Sequence, residues 1–501
     1  MFRLRLEALV AVAALISASC ADVLTRGLCS RDDPDVQALG SALSPTAEIY
    51  FPGSDEFEAA TTRWSVLETP TVNVVVVPGT ENDVVATVKY ANKKRLPFLV
   101  YNGVHGAITT LGRMDSGVGI SLGKLSSVKI AGDGNTATIG GGTFSKTVTD
   151  TLWAAGKQTV TGTCECVSYL GPALGGGHGW LQGHHGLVAD QLVSARIVLA
   201  DGTLKTIDAN SDLWWAIGGA GHNFGIVTSV TTKIFDIEHR DWAIETLIFS
   251  GDKLEAVYQA ANDLLADGTQ SADLINWSYW LNIPDFDPDH PVIMFYIIQQ
   301  GVTAVDPTYT SPFHAIGPLS IQPQAGTYTD LAGWTGIANT SPPCQNAGLV
   351  NPRFPIYLYE YNVAALRTAY DTYAEAIGGS SVFNASLFMF EGYPTEGVRA
   401  QGLESSAFAF RDRRLLAAPL ITYSPLDAER DAEAARVGNQ LRQILHDASG
   451  LQEFGVYVNY AYGDETPEQW YGSEEWRQDR LQGLKAKYDP SGKFSFFGPV
   501  A

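Results

Sequence analysis

Residues 72–106 restrict the folds open to this chain more than any other stretch. Val72 to Val77 is an apolar, β-branched run of the kind found in a buried strand. Thr80 with Asp83 three residues later is a helix-start signature, and Val84, Val88 and Ala91 recur at helical spacing. Pro97 stops that helix, and Phe98 to Tyr101 reads as a second strand. The βαβ unit so formed empties into a short loop, Asn102-Gly103-Val104-His105-Gly106.

The pattern continues through 118–162 with strands and a further helix carried by Val148, Leu152 and Ala155. A glycine-rich segment, Gly171 to Gly186, precedes a hairpin formed by Leu192–Leu199, an Asp201-Gly202 turn and Leu204–Ile207. A second glycine-rich passage, Trp214 to Gly225, leads into the strand Ile226–Phe235. The texture changes near residue 240. From there to about 450, aromatic-rich strands (Leu274–Leu281, Val292–Gln299, Pro355–Tyr361, Ser386–Glu391) alternate with helical stretches such as Glu429–His446, the mark of an antiparallel sheet backed by helices. Gly455–Tyr462 reads as one more strand, and Trp476, Leu481, Leu484 and Tyr488 as a last helix. The expectation is an α+β protein with no internal repeat.

Composition narrows the function. The chain has 501 residues with 33 Lys+Arg against 54 Asp+Glu, a formal charge of −21, which argues against nucleic acid or an acidic membrane surface as partner. At its start, Arg3 and Arg5 precede the apolar run Ala8–Ile16 and the small residues Ser17 to Ala21. This is a secretory signal pattern over residues 1–21, too short to span a bilayer, and it predicts a secreted protein. Secretion makes disulfides possible among Cys29, Cys164, Cys166 and Cys344, and glycans possible at the sequons of Asn276, Asn339 and Asn384. Asn276 is the weakest of these because it falls within an apolar strand pattern.

Several chemistries have no motif here. There is no G-x-S-x-G, H-E-x-x-H, Walker A or G-x-G-x-x-G sequence, and His184-His185 lack metal partners at a suitable spacing, so no metal site is expected. What remains is a lone His in the glycine loop after the βαβ unit, and, about 60 residues on, Gly162-Thr163-Cys164-Glu165-Cys166-Val167 followed by Gly171-Pro172-Ala173-Leu174-Gly175-Gly176-Gly177. Such glycines let backbone approach a ligand closely and aim N–H groups at phosphate.

In these features the sequence resembles the berberine-bridge-enzyme-like flavoprotein oxidases, which carry the p-cresol-methylhydroxylase type of FAD-binding domain. His105 falls at the family position that bonds to the flavin 8α-methyl. Cys164, eleven residues before Gly175 and with Val167 three further on, falls at the position that bonds to flavin C6. Cys166 is out of register and is read as structural. The alternative for Cys164 is a disulfide to Cys29, Cys166 or Cys344. Tyr101, Asn102, Val104 and Gly106 depart from the family loop, and Phe410 stands where relatives often have His. Further likenesses are Gly186–Asp190, Phe224-Gly225-Ile226-Val227, Ala407–Arg411 and Tyr457-Val458-Asn459-Tyr460.

The resemblance implies two domains. Residues 60–240 and 450–501 would form the FAD domain, and 241–449 the substrate domain. FAD would be held bicovalently by His105 and Cys164, with Asn102, Gly103, Val104, Gly106, Val167, Gly171, Gly175, Gly176, Gly177, Gly225, Ile226 and Asn459 around it. Tyr460 would be the catalytic base, its face shared with Val458 if 455–462 is a strand. Glu391 is the first alternative base. Trp277, Tyr279, Phe388 and Phe390 are possible substrate platforms. The expected activity is oxidation of an alcohol, sugar or secondary-metabolite scaffold with dioxygen as acceptor, by a chain expected to be a monomer. Its rivals are a flavin-containing cyclase or isomerase without net oxidation, and a binding glycoprotein with a vestigial flavin site.

Overall fold

The computed structural model describes residues 33–265 and 270–500. The signal pattern and Cys29 lie outside the described residues. The first sheet contains β1 (Glu48–Tyr50), β2 (Val72–Val77), β3 (Phe98–Tyr101) and β4 (Gly117–Ser121) in the order β1-β2-β4-β3. β2, β3 and β4 are parallel, and β4 lies between the two strands of the βαβ unit. The crossover helix Glu81–Lys94 begins where the sequence indicates: the Asp83 carboxylate accepts from the backbone N–H of Thr80 (2.8 Å). Its Val84, Val88 and Ala91 are fully buried against β2 and β4.

The second sheet takes β5 (Val128–Ile130), β6 (Thr136–Gly140), β8 (Leu192–Val198), β9 (Leu204–Asp208) and β10 (Ile226–Lys233), ordered β5-β6-β10-β8-β9. The two-residue strands β7 (Lys157–Gln158) and β11 (Phe235–Asp236) pair beside it. The third sheet is wholly antiparallel. It comprises β12 (Asp241–Phe249), β13 (Leu274–Leu281), β14 (Val292–Gln300), β15 (Ser320–Thr327), β16 (Ile356–Leu358), β17 (Leu387–Gly392) and β18 (Leu415–Leu420), ordered β15-β12-β14-β13-β17-β18-β16.

One face of that third sheet packs on the helices Leu254–Leu265, Val363–Ile377 and Ala428–Asp447, with Trp280, Phe295, Phe388 and Phe390 in the layer between. Phe388 and Phe390 therefore serve the helix-side core and not a substrate platform, because strand alternation turns them away from the face that carries Met389 and Glu391. The chain then returns to its first part. Thr109 N–H donates to Tyr462 O (2.7 Å), and Lys485 Nζ donates to Asn223 O (3.0 Å) and to Asp489 (2.7 Å). Two motif stretches far apart in sequence meet in a buried ion pair, Arg411 with Asp190, bidentate at 2.9 and 2.7 Å.

The segment expected to be a strand at 455–462 is not one. Val458–Tyr460 forms a 3₁₀ turn, closed by Tyr460 N–H to Tyr457 O (2.8 Å). Asn459 explains the departure: its Nδ2 donates to Pro172 O (3.0 Å) and to the Tyr457 hydroxyl (2.9 Å), which ties the turn to the glycine-rich segment. Strand alternation thus does not apply, and Tyr457, Asn459 and Tyr460 all reach the same cavity while Val458 is in the core. Among the sequons, Asn276 is buried within β13, whereas Asn339 and Asn384 are exposed.

Candidate active site

A cavity of about 960 Å³ runs between the glycine loops and the face of the third sheet that is turned away from its helices. On one side it is lined by Asn102, Gly103, Val104, His105 and Gly106 from the loop after β3, by Cys164, Val167 and Gly171, and by Gly225, Asn459 and Tyr460. Gly175, Gly176, Gly177 and Ile226 are not on the lining; they sit behind it. A Cβ on Gly175 would lie 2.3 Å from the Asn459 side chain, and one on Gly176, whose φ is +99°, would lie 2.5 Å from Phe408. These glycines permit close packing beneath the cavity. Ile226 is fully buried in the core against the first sheet.

Two residues that sequence reading passed over clamp the His105 loop. Arg63 Nη2 donates to Gly106 O (2.9 Å), and Trp64 N–H donates to Val104 O (3.3 Å). The Trp64 ring stacks on His105, with centroids 5.1 Å apart and planes 19° off parallel. Val104 has φ +50°, a left-handed conformation that is costly for a β-branched residue. The family glycine it replaces fits that backbone without strain, and the two clamps hold the valine there.

The cysteines resolve into a pair and a free thiol. Cys166 and Cys344 form a disulfide, while Cys164 is free, with its Sγ 3.4 Å from that of Cys166 and 3.5 Å from that of Cys344. The three sulfurs form the single close cluster of potential metal ligands among the described residues, but two of them are bonded to each other. Burial pushes the Cys164 thiol up to about 11, so it is protonated at neutral pH. Burial, aided by the charge of Arg353, pushes His105 down to about 3, which leaves its imidazole neutral. His105 Nε2 lies 3.2 Å from Cys166 Sγ.

The opposite wall is an aromatic and apolar plane set by register. Trp277 on β13 is paired across the sheet with Glu391 on β17 and with Tyr296 on β14; Tyr279 is paired with Met389 and Met294. Glu391 is the one acidic side chain on this wall among the described residues. It is 2% exposed and accepts a hydrogen bond from the Tyr460 hydroxyl at 3.0 Å. Burial raises its carboxyl to about 7, against the opposing effects of Tyr460 and Arg353. Burial and the adjacent Glu391 charge drive Tyr460 well above its ordinary value. Tyr460 is therefore no free phenolate base; it is a donor already engaged with a carboxylate that can take its proton.

The cavity has the features a large heteroaromatic cofactor needs. Asn102 Nδ2 and His222 Nδ1 are buried and have no protein partner. A Cβ on Gly103 would approach Cys166 O and the Phe144 ring at 3.0 Å, so that stretch of wall is bare backbone. His178, the residue after Gly177, is held between Gln182 (2.8 Å) and the Tyr357 hydroxyl (2.8 Å) and stacks on Tyr393; its ring lines the cavity.

The FAD binding domain family model matches residues 72–208, and the berberine and berberine-like model matches 456–499. The chain is 62% identical over 501 residues to the FAD-linked oxidoreductase chyH of Penicillium rubens, covering 99% of this chain and 100% of that one. Its fold matches that of BBE-like 1 from Physcomitrella patens (TM-score 0.79, 20% identity, 93% and 99% of the two chains). It also matches the xylooligosaccharide oxidase of Myceliophthora thermophila, solved with xylobiose (TM-score 0.77, 20% identity, 93% and 98%). The last two likenesses bear on the fold alone. The chain belongs to the berberine-bridge-enzyme-like FAD-linked oxidoreductases, an enzyme family.

Proposed function

We propose that the protein is a secreted oxidase that takes two electrons from a small-molecule substrate and passes them to dioxygen, giving hydrogen peroxide. The observation that carries this reading is the hydrogen bond that joins Tyr460, on the His105 and Cys164 side of the cavity, to Glu391 on the opposite wall. FAD, when bound, supplies the hydride acceptor. His105 and Cys164 are the residues that would tether it, and Asn102, His222 and the bare backbone at Gly103 would border it. Neutral His105 suits the role of nucleophile as it stands, whereas Cys164 must first lose its proton.

The chain's own task is the proton. As hydride leaves the carbon, the substrate O–H or N–H gives its proton to the Tyr460 oxygen, and Tyr460 gives its own to Glu391. A phenol with a raised pKa can serve in this way because it never carries the charge alone. The aromatic wall excludes water from the reacting carbon. Solved proteins of this fold include an oligosaccharide oxidase, but the wall of Trp277, Tyr279, Met294, Tyr296 and Met389 is mainly aromatic and thioether surface, which suits a planar aromatic substrate. Exposed Asn339 and Asn384 would carry glycans in the secreted protein, and Asn276 would not.

A panel of alcohols, amines, sugars and aromatic compounds, screened for peroxide release and dioxygen uptake on the flavin-loaded protein, tests the oxidase reading. Stoichiometric peroxide with product formation supports it. Product formed without dioxygen uptake would instead identify a cyclase or isomerase.

A further inference from the structure

Arg353 is a cation with no direct salt bridge, although its charge is felt by Glu391 across the Tyr460 ring. Among the described residues it has no ion pair and no side-chain hydrogen bond, and its Nε is buried without a partner. Its guanidinium carbon sits 4.8 Å from the centre of the Trp64 ring and 4.3 Å from that of Tyr460, between the aromatic that covers His105 and the hydroxyl that meets Glu391. It lines the same cavity. The position is held firmly: the neighbouring Asn351 donates from Nδ2 to Trp64 O (2.9 Å), and Arg353 itself bridges to Leu420 of β18.

Two more polar atoms on this wall lack partners. They are Trp277 Nε1, a donor, and Glu391 Oε2, an acceptor. Unpaired buried polar groups are costly, and they persist where a ligand completes them. The set to be completed is therefore two donors, one of them charged, and one acceptor, on a wall otherwise made of aromatic rings and thioethers. A guanidinium takes a carboxylate or carbonyl oxygen best.

We propose that Arg353 is the specificity-determining residue of the site. It selects an aromatic substrate that presents a carboxylate or carbonyl oxygen to the guanidinium while its oxidisable group faces Tyr460 and Glu391. This rests on the oxidase reading above and deepens it by naming the substrate class. A neutral sugar offers only hydroxyl and ring oxygens, which accept from a guanidinium more weakly than a carboxylate does.

The test is calorimetric titration of the flavin-bearing protein, at pH 7, with four probes: benzoate, benzamide, benzyl alcohol and xylobiose. Benzoate or benzamide is expected to bind at least about tenfold more tightly than benzyl alcohol, as one hydrogen bond to a charged group allows. Arg353→Met should abolish that preference yet leave benzyl alcohol within about twofold, and Arg353→Lys should restore part of it. Xylobiose binding more tightly than benzoate, or a preference that survives Arg353→Met, overturns the proposal. Calorimetry reads the ligand and not turnover. A preparation that binds benzoate in an Arg353-dependent way but releases no peroxide with any alcohol, amine, sugar or aromatic compound of the substrate panel contradicts the oxidase reading alone.

Discussion

Tyr460 and Glu391 divide one task between two side chains. Tyr460→Phe keeps the ring against Arg353 and removes only the hydroxyl, so flavin content should stay near wild type, while the melting temperature should fall slightly because buried Glu391 loses its hydrogen-bond donor. The rate of flavin reduction under anaerobic mixing with substrate should fall about a hundredfold to ten-thousandfold. An unchanged rate would move the proton acceptor elsewhere. Glu391 sets the pH dependence. Its carboxyl, raised to about 7, must be ionised to accept the proton, so kcat/KM should climb as pH rises through about 7. Glu391→Gln should lose that limb and run slowly at every pH. The same group predicts stability of opposite sign. Between its ordinary value of 4.5 and about 7 the folded state binds more protons than the unfolded one, so stability falls as pH rises through that window. Glu391→Gln should therefore raise the melting temperature at pH 8 but not at pH 4, which thermal denaturation at the two pH values would show. At this scale the sequence was partly readable. The motif register picked out His105 and Cys164, which both line the cavity, and the aromatic-rich run Ser386–Glu391 placed Glu391 on a strand. Trp64 and Arg353 left no local signal, because their roles arise from a contact between segments almost 290 residues apart.

Strands β13 and β17 show why a sheet's faces are hard to assign from sequence. Seven of the eight residues of β13 are buried, and both of its faces are aromatic. Alternation is present, but it cannot say which face meets a cavity and which meets helices. Trp277 and Trp280, three apart, lie on opposite faces: one lines the cavity, the other packs between Tyr258, Tyr370 and Phe390. Their truncations should separate accordingly. Trp280→Ala is expected to cost about 3–5 kcal/mol of stability in chemical denaturation. Trp277→Ala should cost less there and alter binding of aromatic probes more. Equal losses from both would mean that the cavity wall is simply core. The 3₁₀ turn at Val458–Tyr460 was legible as a motif but not as a conformation. One of the two Asn459 bonds that bend it runs to Pro172, which no window along the chain contains.

Over the whole molecule, the parallel first sheet, the glycine loops and the C-terminal return bring three distant stretches to one cavity, and the antiparallel sheet closes it with an aromatic wall. The order of elements in the βαβ unit, the hairpin and the aromatic strands followed from periodicity and turn chemistry. The insertion of β4 between β2 and β3, and the choice of Cys344 as partner to Cys166, depend on long-range packing. In the proposed function this cavity would hold its flavin through His105 and Cys164. Acid precipitation of the purified protein, with flavin absorbance read in pellet and supernatant, tests it most directly. Wild type, His105→Ala and Cys164→Ala are each predicted to keep flavin in the pellet, and only the double substitution to release it. Flavin wholly in the supernatant of the wild-type protein would contradict the account.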